Sequence, residues 1–347
     1  MDRGQHAERL VNHLSRKTLI DLPGSFMEWH RSSAAQCVLL ILFLAATRLA
    51  SAATDAVSDG WLDTTMLKLR TMEFEFARAE SDIPFLPVMA LGVTPYGKTT
   101  FREGDAEDSF RPVNATAYGT LPLYIGQRGL ALAVPYVGYT SFDFTGDQQD
   151  DASVTAVYLP VGLAWQTGAG RQWVLFGMPE FYTPLDDDGD TVHSMMAGVL
   201  GRSFASDHTV WYYGAVYDRN FSDGYFLPYL GFTHAVNAQL NVSMIAPWPS
   251  VNYAVTRDLF LRAGVVPSGA SWDVRGDPGE REAVMSFGGW NAGLWANARI
   301  RGAVWGAFGF GYSGLRGLEI DTEGEAQFDV AMESEPWVTV SISIRPE

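Results

Sequence analysis

The stretch "SVTAVYLPVGLAWQTGAG", residues 153–170, contains no charged side chain. It is nevertheless too short and too often broken by Pro160 and glycines for a membrane helix, which needs roughly twenty apolar residues in a row. Alternate positions tell more. Val157, Leu159, Val161, Leu163 and Trp165 share one parity, and Ala156, Tyr158, Pro160, Gly162 and Ala164 share the other. Period two is the signature of a strand, and a strand of a soluble sheet turns one polar face to water. Neither face here offers water a Lys or a Glu. The strand must meet an apolar medium on its branched face and a crowded interior on its small one.

From Pro112 onward the chain repeats this design in segments of about ten to fifteen residues bounded by turn signals. The strands are expected near 112–124, 130–144, 153–166, 172–182, 192–204, 209–219, 225–234, 238–246, 253–266, 284–296, 298–312 and 336–345. An earlier one is expected at 66–78, although its parity changes within "MLKLRTMEFEFAR", and 80–111 reads equally as strand, plug or loop. Short turns such as "GQRG" (126–129), "TGAGR" (167–171) and "SDH" (206–208) alternate with the longer acidic "TGDQQDDA" (145–152) and "LDDDGDT" (185–191). Outer-membrane barrels make this pattern, with tight periplasmic turns and longer outer loops.

Aromatic residues gather beside the short turns: Trp165 and Trp173 at one, Phe204 and Trp211 to Tyr213 at another. A girdle at the membrane interface calls for amphipathic rings at one common height. In "ARIRGAVWGAFGFGY", Ile300, Val304, Phe308 and Phe310 share a face, leaving Arg299 and Arg301 to the lumen, where charge escapes the few kcal/mol it would cost on the lipid side.

The start of the chain gives the compartment. "AAQCVLLILFLAATRLASA", residues 34–52, is an apolar run ending in a small-x-small motif, and cleavage is expected between Ala52 and Ala53. The signal proper is read as 27–52, with 1–26 an upstream extension such as a misassigned start codon would leave, and 53–347 as the barrel domain. That domain would carry 18 basic and 36 acidic residues, which argues against nucleic acid as a partner. The sole cysteine, Cys37, lies in the leader, so no disulfide, thiol nucleophile or Cys metal site is expected.

The run "PYLGFTHAVNAQLNVSMIAPWPSVNYAVTRDLFLRAGVVPSG", residues 228–269, resembles an uncharacterised bacterial family of outer-membrane β-barrel proteins. With the strands before it the resemblance covers about residues 60–345, and it implies a fold and a location but no activity or site. One feature departs: such barrels end on an aromatic residue read by the insertion machinery, whereas "WVTVSISIRPE" alternates correctly and then ends in Pro346-Glu347.

Chemistry-bearing residues are few. Past the leader only His193, His208 and His234 remain, and His193-Ser194 are neighbours whose side chains leave a strand on opposite faces, a poor start for a Ser-His hydrolase. Asp186, Asp187, Asp188 and Asp190 surround Gly189 like a calcium loop but lack the downstream bidentate Glu. They serve equally as a solvated loop or as an acidic vestibule that concentrates cations.

The sequence therefore predicts a single all-β domain, a closed antiparallel up-and-down transmembrane barrel of about twelve strands (range ten to fourteen) in a bacterial outer membrane. Its expected role is a passive small-solute or ion channel or an envelope structural protein, with no bond chemistry and no cofactor. Arg299 and Arg301 would tune the lumen, and the partners would be outer-membrane lipid, lipopolysaccharide and the barrel-insertion machinery. Two alternatives are a lipid-modifying barrel enzyme and a soluble periplasmic β-protein holding an apolar ligand.

Overall fold

The computed structural model describes residues 67–69, 71–74, 82–84, 86–103, 106–145, 152–168, 170–184, 192–218, 225–246, 248–274, 283–322 and 325–345. Ala52, Ala53 and the loop with Asp186, Asp187, Asp188 and Asp190 lie outside these residues.

Nineteen segments pair into one antiparallel sheet that closes on itself. Some follow one another along a single stave of the barrel. The first stave holds β1 (Met89–Pro95) and β2 (Thr99–Glu103), the second β3 (Ala106–Gly119) and β4 (Leu121–Ile125). The third holds β5 (Gly129–Ala133) and β6 (Tyr136–Thr145), the fourth β7 (Ala152–Tyr158) and β8 (Val161–Gly168). Single-segment staves follow: β9 (Arg171–Pro184), β10 (Val192–Ser206), β11 (Thr209–Asp218), β12 (Tyr225–Ala235), β13 (Leu240–Ile245), β14 (Ser250–Thr256), β15 (Leu259–Val274), β16 (Ala283–Arg301) and β17 (Val304–Thr322). The last stave combines β18 (Glu325–Met332) and β19 (Glu335–Ile344), and β19 closes the ring on β1 from Ile344 opposite Met89 to Val340 opposite Val93. The result is a barrel of fourteen staves, two more than the expected twelve.

Both additional staves have a physical explanation. The first runs through 89–103, where Pro95 and the break at 96–98 hide the alternation. The other comes from the expected strand 253–266, which is two strands joined by Arg257-Asp258, a turn with neither Gly nor Pro to mark it. The candidate at 66–78 is corrected: residues 67–69 are helical, the Met72 amide donates to the Lys68 carbonyl at 3.1 Å, and Thr71 Oγ1 donates to the Leu67 carbonyl at 2.8 Å.

Prolines, which lack the ladder donor, stand at several points along the staves. Pro135, Pro160 and Pro179 stand on three successive staves, and each carbonyl still accepts from the neighbouring stave: from Gly119 at 3.1 Å, Val134 at 2.8 Å and Leu159 at 3.1 Å. Pairing is thus preserved where the donor row is broken. Short turns lie at 126–128, 169–170, 207–208, 236–239, 257–258 and 302–303, all at one end of the barrel. Gly170 (φ 70°) and Gly302 (φ 50°) supply the left-handed backbone that two of them need.

The register divides the side chains into two walls. Val157 pairs with Phe181, Leu163 with Leu175, Phe308 with Val340 and Phe310 with Val338, and all of these face outward. They are exposed, at 39% for Val157, 46% for Leu163 and 58% for Val340, although they are among the most apolar residues of the chain. Exposed aliphatics on one wall of a closed sheet are what lipid requires and water opposes. The protein is an outer-membrane β-barrel, and the soluble alternative fails on the polar outer faces it would need. The girdle is present on this wall, with Trp165 opposite Trp173 and Trp173 edge-on to Tyr213 at 5.5 Å. Phe204 and Tyr212 are exceptions, since their pairings with the buried Val210 and the inward Arg202 turn them inward.

Candidate functional site: the lumen and its floor

Inward positions carry the side chains any permeating solute must meet. Over the first staves they are mostly aromatic. Phe110 and Phe142 are 2% and 1% exposed and meet edge-on at 5.6 Å. Tyr136 stacks on Tyr158 at 4.8 Å, Tyr158 meets Tyr182 edge-on at 5.7 Å, and the Tyr182 hydroxyl donates to Glu180 Oε2 at 3.0 Å. In a wide water-filled pore these rings would be wet. Their burial means the lumen is packed on this side, as in small barrels.

Across the ring the same job is done differently. Trp295 and Trp337 lie 5.1 Å apart on β16 and β19. Beneath them are Gly293, Gly309 and Gly311, and a Cβ at any of the three would run into one of the two indoles. Glycine lets two large rings lie flat against the backbone of the wall. Asn291 Nδ2 donates to the Tyr96 hydroxyl at 2.8 Å, and at the closing seam Thr94 Oγ1 donates to Thr339 Oγ1 at 2.9 Å.

Charge inside the barrel is sorted by height. Glu180, Asp218 and Glu335, exposed by 5% or less, belong to the half away from the short turns, and Glu335 accepts from Thr99. Arg202, Arg262, Arg299 and Arg345 project from the half beside the turns, judged by their register. Arg202 is held by Gln172, itself bonded to Gln166 at 3.0 Å, and lies over Phe204 at 5.4 Å. Arg299 forms an ion pair with Asp258 at 2.9 Å and stacks on Trp305 at 5.2 Å. Arg345 lies over Phe260 at 5.1 Å and donates to Asn297 at 3.3 Å. Arg262 stacks on Trp295 at 5.6 Å, but its Nε is buried with no acceptor among the described residues. A cation over a ring gains about 0.5–2 kcal/mol, whereas withdrawing a charge from water costs several. The arrangement at Arg262 is therefore electrostatically incomplete.

Described residues of the N-terminal segment seat in the short-turn mouth. Phe74 is buried and lies under the Arg202 guanidinium at 6.0 Å. Ile83 packs against Ala254, Phe260 and Trp305, inward residues of the turn end. The segment is tied to three turns: Glu73 pairs with Arg128 at 2.7 Å, Asp82 with Arg257 at 3.8 Å, and the Asp82 amide donates to the Ala238 carbonyl at 2.6 Å. Val88 then joins the wall through the Ile344 carbonyl at 2.9 Å.

Of the residues singled out in the sequence, Arg299 faces the lumen and Arg301 does not. A register shift between them makes Ile300 the extra residue of a bulge, and Arg301 comes opposite the outward Val304 at the exposed rim. His193 pairs with Phe181 and meets its ring at 5.3 Å on the lipid side, while Ser194 faces inward opposite Glu180, so the two are not brought together. His234 Nδ1 is 2.9 Å from Thr209 Oγ1, and His208 is exposed in its turn. Among the described residues no group of three His, Cys, Asp or Glu is placed to hold a metal.

The inward arginines were legible in principle. Parity from Met195 and Val199 places Arg202 inside, and parity from Leu261 places Arg262 there. Glu73, Phe74, Asp82 and Ile83 carry no such signal, since nothing local says that a segment will turn back into a barrel. On the membrane side, a groove of about 480 Å³ is lined by Pro249, Val265, Trp290, Ala292 and Tyr312.

No family model and no curated protein matches the chain, so the resemblance to an uncharacterised barrel family gains no support beyond the fold itself. Solved structures that align with it are outer-membrane barrels. A FadL homologue from Pseudomonas aeruginosa is 9% identical with a TM-score of 0.42, covering 79% of this chain and 98% of that one. The translocator domain of the autotransporter NalP from Neisseria meningitidis is 12% identical with a TM-score of 0.33, covering 91% and 98%. The toluene transporter TodX from Pseudomonas putida is 9% identical with a TM-score of 0.32, covering 79% and 99%. Likenesses this remote transfer no residue role.

Proposed function

We propose that this chain is a passive outer-membrane channel for small solutes, closed at its short-turn mouth by its own N-terminal segment. The seating of Phe74 and Ile83 inside that mouth carries the reading. Its fastenings differ from those of the wall. Glu73–Arg128 and Asp82–Arg257 are exposed ion pairs, with side-chain exposures of 58% and 71% in the first and 38% and 88% in the second, and such pairs are worth about 0–1 kcal/mol. With ion pairs this weak, opening costs mainly the re-exposure of Phe74 and Ile83, while the hydrogen-bonded wall stays intact.

Planar-bilayer conductance of residues 53–347 tests the reading. The intact chain should show brief, infrequent steps, and the Phe74→Asp/Ile83→Asp pair should raise the open fraction by about tenfold or more, with raised salt acting in the same direction by screening the ion pairs. Silence from both proteins, each shown to be folded and inserted, would sink the channel and leave a structural role.

A further inference from the structure

We propose that the short-turn end of the lumen is a binding site for a small aromatic carboxylate, with Arg262 as the group that pairs with the anion and Trp295 as the surface that meets the ring. This deepens the channel reading by naming the class of solute and rests on it only for delivery to the site.

Five observations converge. Among the described residues the buried Nε of Arg262 has no acceptor and forms no ion pair. Arg262 as a whole residue is only partly covered. A guanidinium that stacks on an indole uses its face and leaves its N–H edge for a planar, two-oxygen partner. The inward carboxylates Glu180, Asp218 and Glu335 belong to the other half of the barrel. The nearby inward cations, Arg345 over Phe260 and Arg299 over Trp305, add positive potential. A carboxylate satisfies what Arg262 lacks. An arene attached to it meets Trp295, the ring beside Arg262. A neutral arene would leave the cation as it is, and an inorganic anion would leave the indole unused.

Calorimetry on folded residues 53–347 in detergent, with 2-naphthoate and the neutral 2-naphthalenemethanol, reads this directly. Naphthoate should bind about tenfold or more tightly than the alcohol. Arg262→Gln should bring the two to parity, Arg262→Lys should retain part of the preference, and the rim control Arg171→Gln should retain all of it. Should Arg262→Gln misfold, the Lys variant against the parent decides, because a bidentate site weakens on that exchange and a non-specific cationic lumen does not. Equal binding of the two ligands to the parent, or a preference untouched by Arg262→Gln, overturns the proposal. Uptake by proteoliposomes separates the two readings: solute entry without naphthoate preference refutes only this site, whereas naphthoate binding without any solute entry refutes only the channel.

Discussion

Residues 337 to 342 show both walls of the barrel in six positions. Val338, Val340 and Ile342 face lipid, and any of the three would serve in place of the others. Between them Trp337 lies over the glycines of the neighbouring staves, Thr339 is bonded to Thr94, and Ser341 opposes Gly92 at the seam. None of these three is interchangeable. Lipid imposes one uniform condition on every outward side chain. The interior imposes a separate condition at each position, because a ring, a hydroxyl or a guanidinium must fit what the facing staves present. The outer wall is thus a composition, while the inner wall is a set of particular fits.

The largest test of that contrast is Phe142→Ala. If the inner wall is packed like a protein core, unfolding by urea from lipid vesicles should show a loss of about 3–5 kcal/mol. A loss below about 1 kcal/mol would mean water stands beside Phe142 and the two walls differ less than described. Next is Val340→Arg, expected to cost about 2–4 kcal/mol if this position lies near the bilayer midplane, measured beside Val340→Ile, which keeps the outward face apolar and should cost less than about 1 kcal/mol. Equal costs would erase the distinction between the walls. Gly309→Ala should cost about 1–3 kcal/mol by overpacking, and Trp295→Leu in the same chain should recover part of it, because the added methyl collides with that indole. Smallest is Arg128→Gln, expected to change stability by less than about 1 kcal/mol while lengthening channel openings, since Arg128 holds the floor and not the wall.

The same contrast explains what could be read beforehand. The outward parity of Val157 to Trp165 was plain, because a single condition leaves a periodic trace in the sequence. The hairpin at Arg257-Asp258 was invisible, since two polar residues without Gly or Pro resemble any polar pair within a strand. Arg301 was misplaced because strict alternation has no way to foresee the bulge at Ile300. The floor was the least legible feature. Phe74 is buried and Ile83 partly covered by staves more than a hundred residues further along, and periodicity within their own segment could not register that.

Closure of β19 onto β1 also orders events in time. The hydroxyls of Thr94 and Thr339 meet across 245 positions of chain, whereas each hairpin is closed by a turn of a few residues. Local hairpins form early, and a junction between distant residues is slow because its loop entropy must be lost first. Until that junction forms, the first and last staves each expose an unpaired edge able to pair with another chain. The interval before the seam closes is therefore when this protein is most exposed to aggregation, and substitutions at the seam should lengthen that interval without altering any single hairpin.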